Sequence, residues 1–260
     1  MSMLGGKVVV IVGGAGLLGR RFCMASAAEG ARVVVADRSL EAAEAVVRDI
    51  TAHGQHAEAA PVDITDTASV DALIAGVQQR HGRIDSVVVS AYPRNPQYGR
   101  KLDQVTYADF CENLGLHLGG YFLVAQRFGL HFQQQAGGST GGSIVLLGSI
   151  YGSMAPRFEV YEGTPMTMPV EYAAIKGGIV QLVRYLAQWF KPAGVRVNCL
   201  SPGGILDKQP ESFLAAYKAH TAGTGMLSPD DISGALLFLL SDAGRHVTGQ
   251  NLIVDDGFSL

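Results

Sequence analysis

The chain has 260 residues, a formal net charge of −3, 48% hydrophobic residues and 17% charged residues. That much apolar side chain offsets the entropy of ordering, which excludes a disordered chain and suits one large α/β domain spanning 1–260. The mild negative charge, with basic residues only in short pairs such as Arg20-Arg21 and Arg100-Lys101, excludes a nucleic-acid binder that works by charge.

The opening residues carry no charged stretch followed by an apolar one, and no apolar run is long enough to cross a bilayer. The expected setting is therefore the cytoplasm, with no membrane partner. Cys23, Cys111 and Cys199 are dispersed, with no CxxC pair, and read as buried apolar thiols in a reducing compartment.

In chain order, short runs rich in Val, Ile and Leu recur at Val8-Val12, Val33-Ala36, Ser86-Val89, Ile144-Leu147, Val195-Leu200 and Leu252-Val254, with a weaker one at Ala57-Val62. They barely alternate, as strands buried on both faces do. Between them lie helical patterns: Leu40-Ile50, Ala68-Val77, and the stripe Ile175, Ile179, Leu182, Leu186, Trp189, read as core or subunit interface. Strands alternating with helices predict βαβ units and a parallel sheet with helices on both faces. The Gly/Ser-rich stretch Ala136-Gly142 reads as a loop. Two stretches break the rhythm, 151–169 and 203–225, the second holding a short helix at Glu211-His220. Both follow strand ends, where open α/β sheets bind ligands.

Val8-Val12 runs into Gly13-Gly14-Ala15-Gly16-Leu17-Leu18-Gly19, and a helix follows. Such a loop turns sharply, lets its backbone approach a pyrophosphate and presents helix N–H groups to it. Twenty-one residues after Gly16 stands Asp37, placed to accept hydrogen bonds from a ribose. A carboxylate there repels a 2′-phosphate and favours NAD over NADP, although the neighbouring Arg38 offers a partner for that phosphate. The rival reading is a tight strand-to-helix turn with no ligand.

Tyr172 and Lys176 stand four apart and share one helix face. A free tyrosine, with a pKa of about 10, is a poor base near neutral pH, and a lysine ammonium beside it favours the phenolate. Ser149, just after the strand Ile144-Leu147, is placed to hydrogen-bond the substrate oxygen.

In this order and at these separations the residues resemble the short-chain dehydrogenase/reductase family across essentially the whole chain. The resemblance rests on the Gly13-Gly19 loop, Asp63 after the third strand, Ser149, Tyr172 with Lys176, Pro202-Gly203 after the sixth strand, and Val247-Thr248-Gly249-Gln250 leading to Asp255-Asp256-Gly257. It implies a doubly wound Rossmann fold with a seven-stranded parallel sheet. It also implies hydride transfer between a nicotinamide cofactor, NAD in preference to NADP, and a secondary alcohol or ketone. Tyr172 would be the acid/base, Ser149 would orient the substrate oxygen, and Lys176 would bind the nicotinamide ribose and lower the tyrosine pKa. The phosphate loop, with Leu17 and Leu18 at the helix start, would hold the pyrophosphate. Asp63 and Ile64 would hold the adenine, Ala91 would line the cofactor path, and the backbone of Pro202, Gly203 and Ile205 would meet the carboxamide. A homotetramer or homodimer, packed through the Tyr172 helix and the helix near Phe110-Phe132, is also implied.

The chain departs from the family pattern at several points. Val12 and Leu17 replace the usual Thr and Gly, leaving the trio Gly13, Gly16, Gly19, which resembles the extended, nucleotide-sugar-modifying branch. Val89-Ser90-Ala91-Tyr92 stands where Asn-Asn-Ala-Gly is usual, and His117 stands where an asparagine normally holds a relay water. An imidazole there either takes over the relay or is a packed helix histidine. Ser149 and Tyr172 lie 23 residues apart, longer than is usual. The extra segment, with Tyr151, Arg157, Tyr161 and Glu162, is expected over the nicotinamide beside Tyr92 and Arg94, making a polar, aromatic-walled substrate pocket. An oligomer contact is the competing role for it. The stretches Tyr92-Pro93-Arg94-Asn95 and Tyr161-Glu162-Gly163-Thr164-Pro165 resemble a branch associated with flagellin and surface-sugar modification, which implies a sugar or sugar phosphate as the small-molecule substrate. Two other functional readings stay open: a dinucleotide-binding regulatory or scaffolding protein that lacks catalysis, and an epimerase or dehydratase with tightly held NAD. His53 and His56 stand alone, so no metal is expected.

Overall fold

The structure is a computed structural model and describes residues 2–135 and 141–260. The expected loop at Ala136-Gly142 therefore lies mostly outside the described residues.

Seven strands form one parallel sheet: β1 (Val8–Val12), β2 (Arg32–Asp37), β3 (Ala57–Pro61), β4 (Ser86–Val89), β5 (Ser143–Leu147), β6 (Arg196–Pro202) and β7 (Asn251–Val254). Their order across the sheet is β3-β2-β1-β4-β5-β6-β7. β1 pairs with β2 on one side and β4 on the other, so the winding direction reverses between β1 and β4. A crevice opens there at the carboxyl ends of the strands.

Alternation along β1 shows why these runs are apolar throughout. Val8, Val10 and Val12 pack into one core with α3 (Thr67–His81), α5 (Gly120–Gln135) and α6 (Val170–Phe190). Val9 and Ile11 pack into the other with α1 (Leu17–Ala28), α2 (Leu40–Ala52) and α8 (Ser233–Leu240). With both faces covered, polar residues have no outward side to occupy. Each such valine contributes roughly 1.5–3 kcal/mol of burial. β3, at the sheet edge, is only partly buried, which is why its run is weak.

Side chains set the helix starts. Ser39 accepts from the Ala42 N–H, Asp66 from Ala68, and Thr106 from Asp109 at the head of α4 (Tyr107–Leu114). Between α4 and α5 the helix widens into a π turn at Gly115–Gly119 that carries His117. A third apolar cluster lies outside the sheet. It joins Ile150, Tyr151, Val160 and Met168 to Phe213 and Tyr217 of α7 (Glu211–Lys218), and to Met226 and Phe258.

One expectation needs correction. Cys23 and Cys199 are buried, and burial pushes both thiols up, but Cys111 is exposed. Of the two readings of the Ile175–Trp189 stripe, Ile175, Ile179 and Leu186 are core, while Trp189 is 62% exposed and stacks on exposed Tyr185, which leaves the interface reading for that residue. No helix among the described residues is long and apolar enough to cross a membrane.

Candidate active site

The carboxyl edge of the sheet borders a cavity of about 940 Å³. Its floor begins at the loop after β1. Gly13 has φ +77°, and a Cβ there would stand 2.5 Å from the Ala91 nitrogen, across the winding reversal. A Cβ on Gly19 would collide with the Gly13 carbonyl. Glycine is required at both places by close approach. Gly16 precedes α1 without a side-chain cap, and the first turn of α1 holds no acidic residue. The N–H groups of that turn have no intrahelical acceptor, and its residues Leu17, Leu18 and Gly19 line the cavity. They form a cradle for an anion, so the chain fits a dinucleotide pyrophosphate. Leu17 is 48% exposed and lines the cavity with Leu18.

Asp37 ends β2, and its carboxylate accepts from the Ala15 N–H at 3.1 Å and the Ser39 N–H at 3.1 Å. Those bonds fix it beside the glycine loop. Arg38 is exposed and lines the same wall. Asp63 accepts from the Thr65 N–H at 2.9 Å and the Thr65 hydroxyl at 2.6 Å, and these bonds hold its carboxyl below the usual range. Ile64 and Ala91 continue the wall, and Pro202, Gly203 and Ile205 close the far end.

Ser149 follows β5 and is buried, its oxygen accepting from the Tyr151 N–H at 3.2 Å. Tyr172 stands in the first turn of α6, and Lys176 one turn on. All three line the cavity. Burial pushes the Tyr172 phenol well above its usual range, partly offset by its hydrogen bond with the Ser149 hydroxyl. Burial also lowers Lys176, to about 7. The lysine Nζ donates to the Leu147 carbonyl at 2.8 Å and lies 5.4 Å from the Tyr172 ring centroid. In the chain alone, then, desolvation dominates the Tyr172 phenol, and the Lys176 nitrogen is tied to a carbonyl.

Tyr92 stands edge-on to Tyr172, ring centroids 6.0 Å apart, and edge-on to His117 at 5.2 Å. Its hydroxyl donates to the Tyr98 hydroxyl at 2.8 Å. The Arg94 guanidinium carbon lies 4.9 Å from the Tyr92 ring centroid. Tyr161 donates to the Tyr151 hydroxyl at 3.3 Å, and both line the cavity with Tyr92 and Arg94. The aromatic wall is therefore assembled as expected.

His117 does not line the cavity. It is fully buried between Tyr92 and Tyr121, and neither ring nitrogen has a partner among the described residues. Burial, then the Lys176 charge, holds it well below 6.5, so it is a neutral imidazole. Arg157 and Glu162 do not reach the cavity either. Arg157 turns away and donates to the carbonyls of Phe258 at 3.4 Å and Leu260 at 2.9 Å.

Several site residues carried no sequence signal. Tyr217 lines the cavity and accepts from the Gly204 N–H at 2.6 Å, its phenol pushed up to about 12 by burial. Tyr121 is buried beside His117, its hydroxyl without a partner among the described residues. Glu171 is wholly buried with neither carboxylate oxygen partnered among the described residues, and its charge raises the Tyr92 and Tyr98 phenols further. Only Glu171 was discoverable, through its place beside Tyr172.

A family model described as enoyl-(acyl carrier protein) reductase matches residues 15–259. A post-translational flagellin modification protein A from Campylobacter coli is 36% identical over 260 residues, covering 99% of this chain and 100% of that protein. D-Threitol dehydrogenase from Mycolicibacterium smegmatis is 30% identical over 263 residues, covering 99% and 94% of the two chains. Among solved structures, a gluconate 5-dehydrogenase from Burkholderia cenocepacia J2315 in complex with NADP and tartrate matches with a TM-score of 0.86 at 26% identity, covering 98% of this chain and 96% of that one.

Proposed function

The chain belongs to the short-chain dehydrogenase/reductase family and is an oxidoreductase of the nicotinamide-dependent kind, and on that footing we propose that it interconverts a secondary alcohol and a ketone on a sugar-like substrate, with NAD as the preferred dinucleotide. The observation that carries the reading is that Ser149, Tyr172 and Lys176 border one cavity with the glycine loop and Asp37. The sugar-like substrate is supported by the aromatic and polar wall of Tyr92, Tyr151 and Tyr161, and by relatives named for threitol and gluconate. NAD is favoured by the anchored Asp37 carboxylate.

In this mechanism Gly13, Gly16 and the N–H groups of Leu17, Leu18 and Gly19 hold the pyrophosphate, Asp37 the adenosine ribose, and Asp63 with Ile64 the adenine. Ala91 lies along the cofactor path, and the backbone at Pro202, Gly203 and Ile205 receives the carboxamide. When bound, the nicotinamide accepts or supplies the hydride. Tyr172 Oη takes the proton from the substrate hydroxyl in oxidation and returns it in reduction, which is general acid–base catalysis by a held phenol. The Ser149 hydroxyl fixes the reacting oxygen toward it. Lys176 lies one helical turn from Tyr172 and is poised between charged and neutral forms near pH 7. His117 is the group at the relay position, supplying a neutral ring that can both accept and donate through water.

We further infer one domain over 1–260 acting as a homodimer or homotetramer in the cytoplasm. Exposed Phe122, Tyr185 and Trp189, on α5 and α6, are the apolar residues that such an interface would cover.

The deciding experiment is Tyr172→Phe. Removing the acid/base hydroxyl is expected to lower kcat by about 10²- to 10⁴-fold while the protein still quenches NADH fluorescence on binding. Full turnover by the variant on a confirmed substrate would refute the assignment.

A further inference from the structure

Resting on the oxidoreductase reading, we propose that the substrate is an anion: it carries a carboxylate or phosphate a few carbons from the reacting carbinol, and Arg94 is the residue that reads that group. Arg94, Tyr92, Ser149 and Tyr172 all line the same cavity. The Tyr92 ring stands 6.0 Å from that of Tyr172, and the Arg94 guanidinium carbon lies 4.9 Å from the same Tyr92 ring, so a single aromatic residue separates the cation from the acid/base. That interval suits a short polyol chain held by its ends.

A guanidinium has five N–H donors in a planar fork that grips a carboxylate or phosphate with two parallel bonds. That of Arg94 also hydrogen-bonds the Tyr92 side chain, which leaves its remaining donors for a ligand. Arg94 has no ion pair among the described residues. Two carboxylates of its segment, Asp109 and Glu112, are already taken. Asp109 receives Arg100 at 3.3 Å and the Thr106 hydroxyl at 2.7 Å, and Glu112 receives the Asn95 amide at 2.8 Å.

The backbone beside Arg94 is also fixed. Asn95 is 6% exposed, its N–H donates to Asn113 Oδ1 at 3.0 Å, and its side-chain oxygen accepts from Asn113 Nδ2 at 3.1 Å. A cation on a pinned segment loses little freedom on binding, which raises its worth as a recognition element. Arg94 itself is exposed, so it can present its charge at the cavity mouth.

The charge inventory points the same way. Apart from Lys176 at the reacting centre and Arg38 at the adenosine end, Arg94 is the cation that lines the cavity. Two acids bear on that half. Asp207 lines the cavity on the loop after β6, forms no ion pair with Arg94 among the described residues, and offers an acceptor to substrate hydroxyls. Glu171 faces Tyr92 and Tyr98 but lends no atom to the cavity wall. The other nearby wall residues, Tyr151, Tyr161, Met166 and Gln209, are neutral.

The test uses matched triplets of three to six carbons: a polyol, the aldonate of the same skeleton and the polyol phosphate. Each is assayed as kcat/KM and, by calorimetry on the NAD-loaded protein, as Kd. The wild type is expected to favour one anionic member over its polyol by about 10- to 100-fold, the worth of a hydrogen bond to a charged group. Whichever arm wins tells carboxylate from phosphate. Arg94→Gln is expected to erase most of that ratio, Arg94→Lys to keep part of it, and added salt to shrink it. Equal handling of polyol and anion by the wild type, in turnover or binding, or an undiminished ratio in Arg94→Gln, overturns the proposal. A protein that binds no dinucleotide overturns the underlying oxidoreductase reading instead, and is scored separately by NADH fluorescence.

Discussion

Lys176 Nζ donates a 2.8 Å hydrogen bond to the main-chain oxygen of Leu147, the last residue of β5, two positions before Ser149. Lys176 is 3% exposed, and one carbonyl is the sole hydrogen-bond acceptor of its ammonium among the described residues; burial lowers its pKa to about 7. The unfolded chain releases that proton at about 10.4. Below pH 7 both states hold it, and the folded state bears the full cost of a buried charge. As pH rises from about 7 to about 10.4 the unfolded state binds more protons, so stability rises with pH. Lys176→Met removes the charge at similar length. It is expected to raise Tm in the unliganded protein at pH 6, by roughly 2–4 °C for each kcal/mol relieved, with the gain shrinking by pH 9.5. Differential scanning calorimetry at the two pH values checks this, and a gain that grows with pH contradicts it.

Asp37 lines the cavity beside the glycine loop with both carboxylate oxygens engaged by main-chain N–H groups, from Ala15 and Ser39. The charge cannot swing away from an incoming 2′-phosphate, while exposed Arg38 is free to approach one. Asp37→Ser is expected to lower the NAD-to-NADP ratio of kcat/KM by about 10- to 100-fold, since it removes one charged acceptor and one repulsion. Arg38→Ala in the same background is expected to reverse part of the gain for NADP. Initial rates with the two dinucleotides measure both, and an unchanged ratio in Asp37→Ser sinks the assignment of that side chain.

What could be read from the sequence follows from which interactions are local. β1, β4 and β5 are legible because strands covered on both faces must be apolar throughout, and the glycine loop because close backbone approach demands glycine at Gly13 and Gly19. The Tyr172–Lys176 pair is legible from helical spacing. α8 was not read as a helix, because its segment Ser233–Leu240 is almost wholly apolar and shows no period. Arg157 was placed over the nicotinamide because it lies in the long segment after Ser149. Its actual partners, Phe258 and Leu260, are about a hundred residues away, and no local pattern encodes that contact. The same holds for Tyr217, Tyr98 and Tyr121, whose partners Gly204, Tyr92 and His117 no local pattern assigns to them.

His117 sits in the π turn between α4 and α5, fully buried, with both ring nitrogens unpartnered among the described residues. Leaving two buried polar nitrogens without partners costs a few kcal/mol, which a bridging water would recover. Since burial keeps the ring neutral well below pH 6.5, no histidine ionisation is expected in the pH profile of kcat between 6 and 8. His117→Asn keeps a donor and an acceptor and is expected to retain most turnover. His117→Phe keeps the aromatic packing against Tyr92 and Tyr121 but loses both, and is expected to lower kcat by about 10²-fold or more if the proton path runs there. Equal rates for the two variants make the residue a packing element only.

The segment at Asp255–Leu260 ties together the loops after β5 and β6. Phe258 stacks on Tyr217 with centroids 4.1 Å apart and planes 9° apart, and Tyr217 in turn receives the Gly204 N–H in the cavity wall. Arg157, from the loop after β5, holds the Phe258 carbonyl and lies 5.5 Å from its ring. Asp256, at φ +53°, accepts from the Thr224 N–H at 2.7 Å and the Gly225 N–H at 3.2 Å, fixing the second loop. Loosening this contact is expected to displace Tyr217 without touching the glycine loop. Arg157→Ala is therefore expected to raise KM for the alcohol severalfold, up to about tenfold for a loss near 1.4 kcal/mol, while the Kd for NADH holds. Phe258→Ala creates a cavity under Tyr217 and is expected to cost about 3–5 kcal/mol of stability, so Phe258→Leu is the informative companion. The two sites should couple in a double-mutant cycle by at least about 0.5 kcal/mol. Additive effects, or a parallel rise in the NADH Kd, would show that the segment stabilises the fold at large rather than the substrate wall.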